Sequence, residues 1–207
     1  MGLFNLFGKK TEKVKPAKVT AKTVQTHAQQ KEDNKKFDRE LAALQKADAD
    51  YKADHDLDKV ISVYQSVLDG CTWNAFNYQK KLATYYTKAS QYDNAWRVLS
   101  QAQHDAVKRG HGQACTGQIR MEQFIVLKAQ KKYKQALETL CRAYVVNNAP
   151  YGTWNRDSFV KNAKTCAKEC GLSEQQLDEL ADVVGKAISK KDKSETNIRQ
   201  AVSEYLK

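Results

Sequence analysis

The chain has 207 residues and a formal net charge of +11, and its few prolines and glycines and many Ala, Lys, Gln, Leu and Glu residues favour helices over sheets. The longest apolar run, residues 124–127, is far shorter than the roughly 20 residues that span a bilayer, so we expect no transmembrane helix. The composition therefore excludes an integral membrane protein and a β-rich fold, and it predicts an all-α protein.

The cysteines and the N-terminal residues indicate the compartment. Five cysteines are an odd number, which fits a reducing environment better than a disulfide framework. Residues 1–7 are apolar, but lysines follow them rather than precede them and no small-residue cleavage site closes the stretch, so we expect no secretory signal. These features predict a cytoplasmic protein.

The first 36 residues form a basic N-terminal tail. They hold nine lysines against three acidic residues, a charge of +6, whereas the remaining residues carry +5. Residues 11–36 have almost no large apolar side chains, so we expect a flexible tether that cannot offset its ordering entropy by burial. The tail begins with apolar side chains next to two lysines: Leu3, Phe4, Leu6, Phe7, Lys9 and Lys10.

Two interpretations of this short apolar start remain open. Apolar side chains beside lysines can lie in an anionic membrane surface, which gives peripheral attachment. Alternatively the terminus has no binding role, because one or two helical turns bind weakly without a second anchor.

The clearest helical pattern lies at residues 132–145. Its apolar residues recur with helical period on one face, with polar residues on the other. Two earlier stretches repeat the arrangement, with steps of 35 residues from Leu57 to Tyr92 and 41 residues from Tyr92 to Tyr133. Recurrence of a helix at about 34 residues or slightly more is typical of stacked helical hairpins. The shared positions are Tyr92, Ala95, Leu99 and Ala102 in one copy and Tyr133, Ala136, Leu140 and Ala143 in the next.

The remaining pattern predicts a helical domain over residues 37–207, built from about four hairpins. A first helix from Phe37 and a looser stretch over residues 104–115 are expected, and a terminal helix over residues 198–206 is expected to cover the open end of the array. The predicted helix boundaries rest on Asn74 and Asn155 as N-caps, Ser173 with Gln176 as a capping box, and Gly70 and Gly171 as stops.

The second and third hairpins resemble the tetratricopeptide repeat. Ala83, Tyr86 and Tyr92 match the small residue and aromatics of that family in the second hairpin, as do Ala95 and Ala102 at the close-packing positions. The first hairpin departs from the pattern, with Asp48 at the position of a small residue. The resemblance implies a right-handed superhelical array of antiparallel hairpins with a concave face.

The resemblance also implies which side chains face the groove. These positions lie on the first helix of each hairpin, and they are basic and partly apolar, which suits an acidic or amphipathic peptide segment. The alternative is that the lysines are a solvated face without a ligand. The implied partner-binding residues are Gln45, Lys52, Lys80, Thr84, Thr87, Lys88, Gln118, Met121, Ile125 and Lys128.

Catalytic and metal-binding chemistry is not predicted. No glycine-rich phosphate loop, nucleophile elbow or metalloprotease motif occurs, so we expect no enzyme, no catalytic residue and no cofactor. Neither the Cys166–Cys170 pair nor the cluster of His104, His111 and Cys115 has the spacing of a familiar zinc site, so no metal is expected.

The sequence therefore predicts a non-enzymatic adaptor or scaffold that binds a protein partner. The net charge also allows a second interpretation, sequence-independent binding of nucleic acid, although no recognition motif is present. Membrane attachment through the apolar start is the third interpretation. The partner and the oligomeric state are not predicted.

Overall fold

The computed structural model describes residues 21–148, 150, 153–191 and 195–206. Within these ranges the chain is α-helical and has no β-strand, which confirms the predicted all-α class. None of the helices in the described residues is both long and apolar enough to cross a membrane. The helices are α1 (Ala21–Asp54), α2 (Leu57–Leu68), α3 (Phe76–Lys88), α4 (Tyr92–Lys108), α5 (Gly112–Ala129), α6 (Tyr133–Asn148), α7 (Arg156–Glu169), α8 (Glu174–Ser189) and α9 (Glu195–Tyr205).

The chain divides by its contacts into two compact units, residues 1–41 and 42–207. In the first unit the structure differs from the sequence prediction, because α1 begins at Ala21 and not near Phe37. Residues 21–36 contain many Ala, Gln and Lys residues, which have high helix propensity, and no proline or glycine. An ion pair between Lys36 and Glu40, at 3.6 Å, adds a contact one helical turn apart. Residues 11–20 of the expected tether lie outside the described residues.

The second unit contains two clusters of buried side chains. The first lies among α2, α3 and α4, with additions from α1 and α5. Within it α2 packs on α3, and α3 packs on both α4 and α5. Its largest fully buried side chains are Leu44, Val60, Tyr64, Tyr86, Leu99, Ile119 and Val126.

The second cluster is built around α6, which contacts α5, α7, α8 and α9. Because several helices surround it, α6 also buries Thr139 and Val145, which lie outside the predicted apolar stripe. Helix α9 packs on α6 and α8. The side chains that α9 and the residue after it bury here are Ile198, Val202 and Leu206.

Local signals predicted several helix ends. The capping box of α8 is present, with Ser173 and Gln176 each bonded to the other's backbone, and the Asn155 side chain accepts from the Ser158 N–H at 2.9 Å. Gly171 follows α7 with a φ of +77°, in the left-handed region that glycine adopts without strain. Asn74 is not the N-cap of α3, which is Ala75, although the Asn74 side chain accepts from the Phe76 N–H at 3.3 Å.

The prediction of a looser stretch over residues 104–115 is wrong. Helix α4 continues to Lys108, and α5 already begins at Gly112. The helix continues because Ala106 extends the buried stripe of α4 by one more turn. Only a short turn with Gly110 at a φ of +75° separates the two helices.

Candidate functional site

The residues predicted to face a partner lie on α1, α3 and α5, and we refer to them together as the basic face. Their exposure varies: Gln45, Lys52 and Gln118 are exposed, whereas Met121 is half-buried against the core. The basic face comprises Gln45, Lys52, Lys80, Thr84, Thr87, Lys88, Gln118, Met121, Ile125 and Lys128.

Side chains of the basic face join α3 to α5. The Lys80 ammonium group donates to Gln118 Oε1 at 2.7 Å. One turn further along, Glu122 of α5 is half-buried close to Lys80 and Thr84 of α3. Burial raises the pKa of the Glu122 carboxyl group, and the nearby Lys80 charge and Thr84 hydroxyl group offset only part of that increase. The structure therefore brings Lys80 and Gln118 together.

A second set of contacts joins α3 to α1. The Lys88 ammonium group lies 4.9 Å from the centre of the Tyr51 ring and 5.7 Å from the Tyr85 ring, within the range of cation–π attraction. It also donates to the Tyr51 hydroxyl at 3.4 Å. Because the Lys88 ammonium group lies over these two rings, its charge is held at the surface between the two helices.

Sequence reasoning missed the group that fixes α1 to α2 and α3. Asp48 of α1 accepts from the hydroxyl groups of Tyr64 and Tyr85, at 2.6 and 2.7 Å, and from the Lys81 ammonium group. Burial alone raises the pKa of Asp48, but these hydrogen bonds outweigh it and hold the pKa below its ordinary value. The signal in the sequence was an acidic residue at a position that the repeat gives to a small one.

The apolar part of the basic face is centred on Ile125. This side chain is 40 % exposed, one of only three large hydrophobic side chains that are exposed in the described part of the chain. Beside it, the Lys128 ammonium group lies 6.0 Å from the centre of the Phe124 ring. The Lys128 charge also lowers the pKa of Cys166 on α7, although burial raises that pKa overall. Ile125 and Lys128 thus present an apolar contact next to a cation.

Other residues of the basic face have no such links. Gln45 and Lys52 are exposed, and no hydrogen bond joins them to α3 or α5 within the residues that the structure describes. The hydroxyl groups of Thr84 and Thr87 donate to carbonyl groups of their own helix, those of Lys80 and Ala83. The central set is therefore Lys80, Lys88, Ile125 and Lys128.

The charges of this central set favour an anionic ligand. Of the acidic groups nearby, the Asp48 carboxylate accepts hydrogen bonds from three donors and the Glu122 side chain is half-buried. In the described residues no ion pair neutralises the ammonium groups of Lys80, Lys88 and Lys128.

Two further predictions concern other parts of the molecule. In the described residues no three His, Cys, Asp or Glu side chains converge as a metal site would require. The residues of the predicted membrane contact, Leu3, Phe4, Leu6, Phe7, Lys9 and Lys10, lie outside the described residues.

Comparison of the chain with protein-family models, with curated proteins and with solved structures gives no match, so the tetratricopeptide-repeat resemblance stays a prediction.

Proposed function

We propose that this protein is a non-enzymatic, cytoplasmic adaptor whose hairpins form a right-handed superhelical array like that of tetratricopeptide repeats. Two observations support this arrangement. Helices α2 to α5 pack in chain order, and α3 also reaches α5, as the first helices of successive hairpins do in a stacked array. The small residues of the pattern are fully buried where close packing needs them: Ala95, Ala102, Ala136 and Ala143.

We propose further that the basic face binds an acidic or amphipathic peptide segment. The observation that carries this proposal is the exposed Ile125 of α5, one turn from Lys128 on the same helix, while α3, which packs on α5, carries Lys80 and Lys88. Carboxylates of a bound segment pair with the lysines, while an apolar side chain of the same segment covers Ile125. Lys88 is already held over two rings, so little side-chain entropy is lost when it pairs.

The test is binding of fluorescently labelled peptides followed by anisotropy. An amphipathic peptide with Glu and Leu on one helical face is compared with a peptide of the same length in which Lys replaces Glu. The protein variant Lys80→Gln, Lys88→Gln, Lys128→Gln removes three charges from the basic face. Its matched control, Lys108→Gln, Lys132→Gln, Lys134→Gln, removes three charges from exposed lysines elsewhere, so both variants carry +8, three less than the +11 of the wild type.

We expect wild type and control to bind the acidic peptide equally, and the basic-face variant to bind about tenfold more weakly. Three exposed charge pairs at about 0.2–1 kcal/mol each give a loss of this order. Equal losses in the two variants contradict the assignment, because binding then depends only on net charge.

The second candidate function, sequence-independent binding of nucleic acid, is favoured by the net charge of +11. A salt titration with a labelled oligonucleotide distinguishes it. A steep linear decrease of log K with log salt indicates neutralised phosphates, whereas peptide recognition with an apolar contact gives a shallow slope.

A further inference from the structure

A cleft lies between α7 and α8. Its volume is about 320 Å³, and its floor is apolar, formed mainly by Val160, Leu172 and Leu177. Helix α9 packs on α6 and α8, and none of its residues lines this cleft. In a stacked array of hairpins this surface is where a following hairpin packs. No other described helix lines it here.

The two walls of the cleft carry opposite charges. Lys164 and Lys168 are exposed on α7, and Glu174 and Asp178 are exposed on α8. Asp178 bonds with Arg156 at 2.9 Å, whereas Lys164, Lys168 and Glu174 have no ion pair in the described part of the chain. The cleft therefore combines an apolar floor with one cationic wall and one anionic wall.

We propose that this cleft is the contact surface for a second copy of the chain, in a two-fold symmetric dimer. A two-fold contact joins the same patch on both copies, so the patch must be complementary to itself. Rotation of one copy places its lysine wall on the partner's carboxylate wall, and the reverse contact forms at the same time. The paired walls then shield both apolar floors from solvent.

The charges of the cleft argue against other occupants. A segment of one charge sign meets an unfavourable wall on one side, because like charges repel wherever they are brought together. Nucleic acid is disfavoured by Glu174 and Asp178 for the same reason. A second copy of the chain has one basic wall and one acidic wall, so each wall can face a wall of opposite charge.

The basic face is not part of the proposed dimer contact. None of Lys80, Lys88, Ile125 and Lys128 lines the cleft, so each copy keeps its own peptide-binding residues. Two linked basic faces bind a partner that has two acidic segments more tightly than either face alone. This consequence for avidity rests on the proposed peptide binding, but the dimer itself does not.

Sedimentation velocity of the full chain over a wide concentration range tests the proposal. We expect a concentration-dependent monomer–dimer equilibrium that weakens as salt is added. One variant, Lys164→Glu, Lys168→Glu, makes both walls acidic. A second, Glu174→Lys, Asp178→Lys, makes both walls basic. Each variant alone is expected to dimerise at least about tenfold more weakly than wild type, because like-charged walls then face each other.

The decisive measurement is sedimentation velocity of an equimolar mixture of the two variants. In the mixed pair each wall again meets a wall of opposite charge, so dimers are expected to reappear. Circular dichroism checks that each variant keeps the helical content and thermal midpoint of the wild type. The variant Lys164→Glu, Lys168→Glu changes only exposed positions of α7. If the other variant does not fold, the effect of this variant alone on dimerisation tests the proposal.

A monomer at every concentration overturns the proposal. So does a wild-type dimer that is unaffected by the lysine reversal, or two variants that remain monomeric when mixed. Peptide binding by the basic face is measured separately on the same variants, and its loss or retention has no bearing on these outcomes.

Discussion

Asp48 connects three helices through a single carboxylate. It lies on α1, its tyrosine donors come from α2 and α3, and its lysine donor is also on α3. The side chain of Asp48 is only 16 % exposed, so these hydrogen bonds form in a region of low dielectric where an unpaired group is costly. Burial also raises the pKa of Tyr64, and the Asp48 carboxylate raises it further, which keeps that hydroxyl group a donor.

Replacing Asp48 by Asn is expected to lower the free energy of unfolding at neutral pH by about 2 kcal/mol, since Lys81 loses its counter-charge and both tyrosines, which donate to Asp48 Oδ1, lose a charged acceptor. The native pKa of Asp48 is lowered, so its contribution is present above the unfolded-state pKa of about 3.9. The contribution is lost as the pH falls through the native value. Urea unfolding of wild type and variant at neutral pH and near pH 3 measures both effects.

The control for this prediction is Asp69→Asn, because Asp69 is exposed at the end of α2. We expect the control to match the wild type at both pH values. An Asp48→Asn variant that is as stable as wild type at neutral pH, or a deficit that does not shrink in acid, contradicts the role assigned to the carboxylate.

The sequence could not predict the Asp48 contacts. The repeat pattern has a small residue at position 48, so the sequence shows Asp48 only as a mismatch to that pattern. Its partners Tyr64 and Tyr85 lie 16 and 37 residues away. The hydrophobic period of a single helix carries no information about which polar side chains meet across helices.

At the level of the helices, α5 and α6 approach each other closely at Gly117. This glycine is buried, and a Cβ atom built there lies 1.9 Å from Asn147 Oδ1 and 2.4 Å from Asn147 Cγ. Glycine inside a helix normally costs about 1 kcal/mol relative to alanine. The close approach of Asn147 is the reason that glycine is accepted here.

We expect Gly117→Ala to destabilise the protein by about 1 kcal/mol, because the half-buried Asn147 side chain must leave its present rotamer to make room for the new Cβ atom. In an Asn147→Ala background the same change is expected to be neutral or stabilising, because the clash is gone and alanine favours the helix. Thermal or urea unfolding of the four proteins of this double-mutant cycle gives the coupling energy. Additive effects of the two substitutions contradict the close contact.

Helix boundaries were predictable where a local signal marks them. Ser173 with Gln176 and Asn155 cap the helices that they were expected to cap, because a cap depends on residues within one turn. The start of α1 at Ala21 was not predicted, since a helix with polar residues on every side leaves no hydrophobic period. Two glycines near residue 110 suggested a looser stretch, but Gly110 adopts a positive φ in a short turn and Gly112 begins α5, where a Cβ atom would meet Val107.

At the scale of the whole molecule, the basic face depends on how three helices come together. The repeat resemblance implies that Lys80 and Gln118 both face the groove, and in the structure Lys80 Nζ donates to Gln118 Oε1 at 2.7 Å. It did not predict that Lys88 lies over Tyr51, because that contact joins α1 and α3 at a point where the first hairpin departs from the repeat. The acidic-peptide hypothesis therefore rests on α3 and α5 more than on α1.

Photo-crosslinking to the acidic amphipathic peptide tests this central proposal most directly. A photoreactive side chain replaces Ile125 in one protein and Val107 in another; both are exposed hydrophobic positions, 40 % and 60 % exposed, and Val107 lies on α4, which carries none of the basic face. We expect a strong crosslink from position 125, its loss when Lys80, Lys88 and Lys128 are neutralised, and little crosslink from position 107. Equal crosslinking from both positions, or crosslinking from position 107 alone, would contradict peptide binding at the basic face.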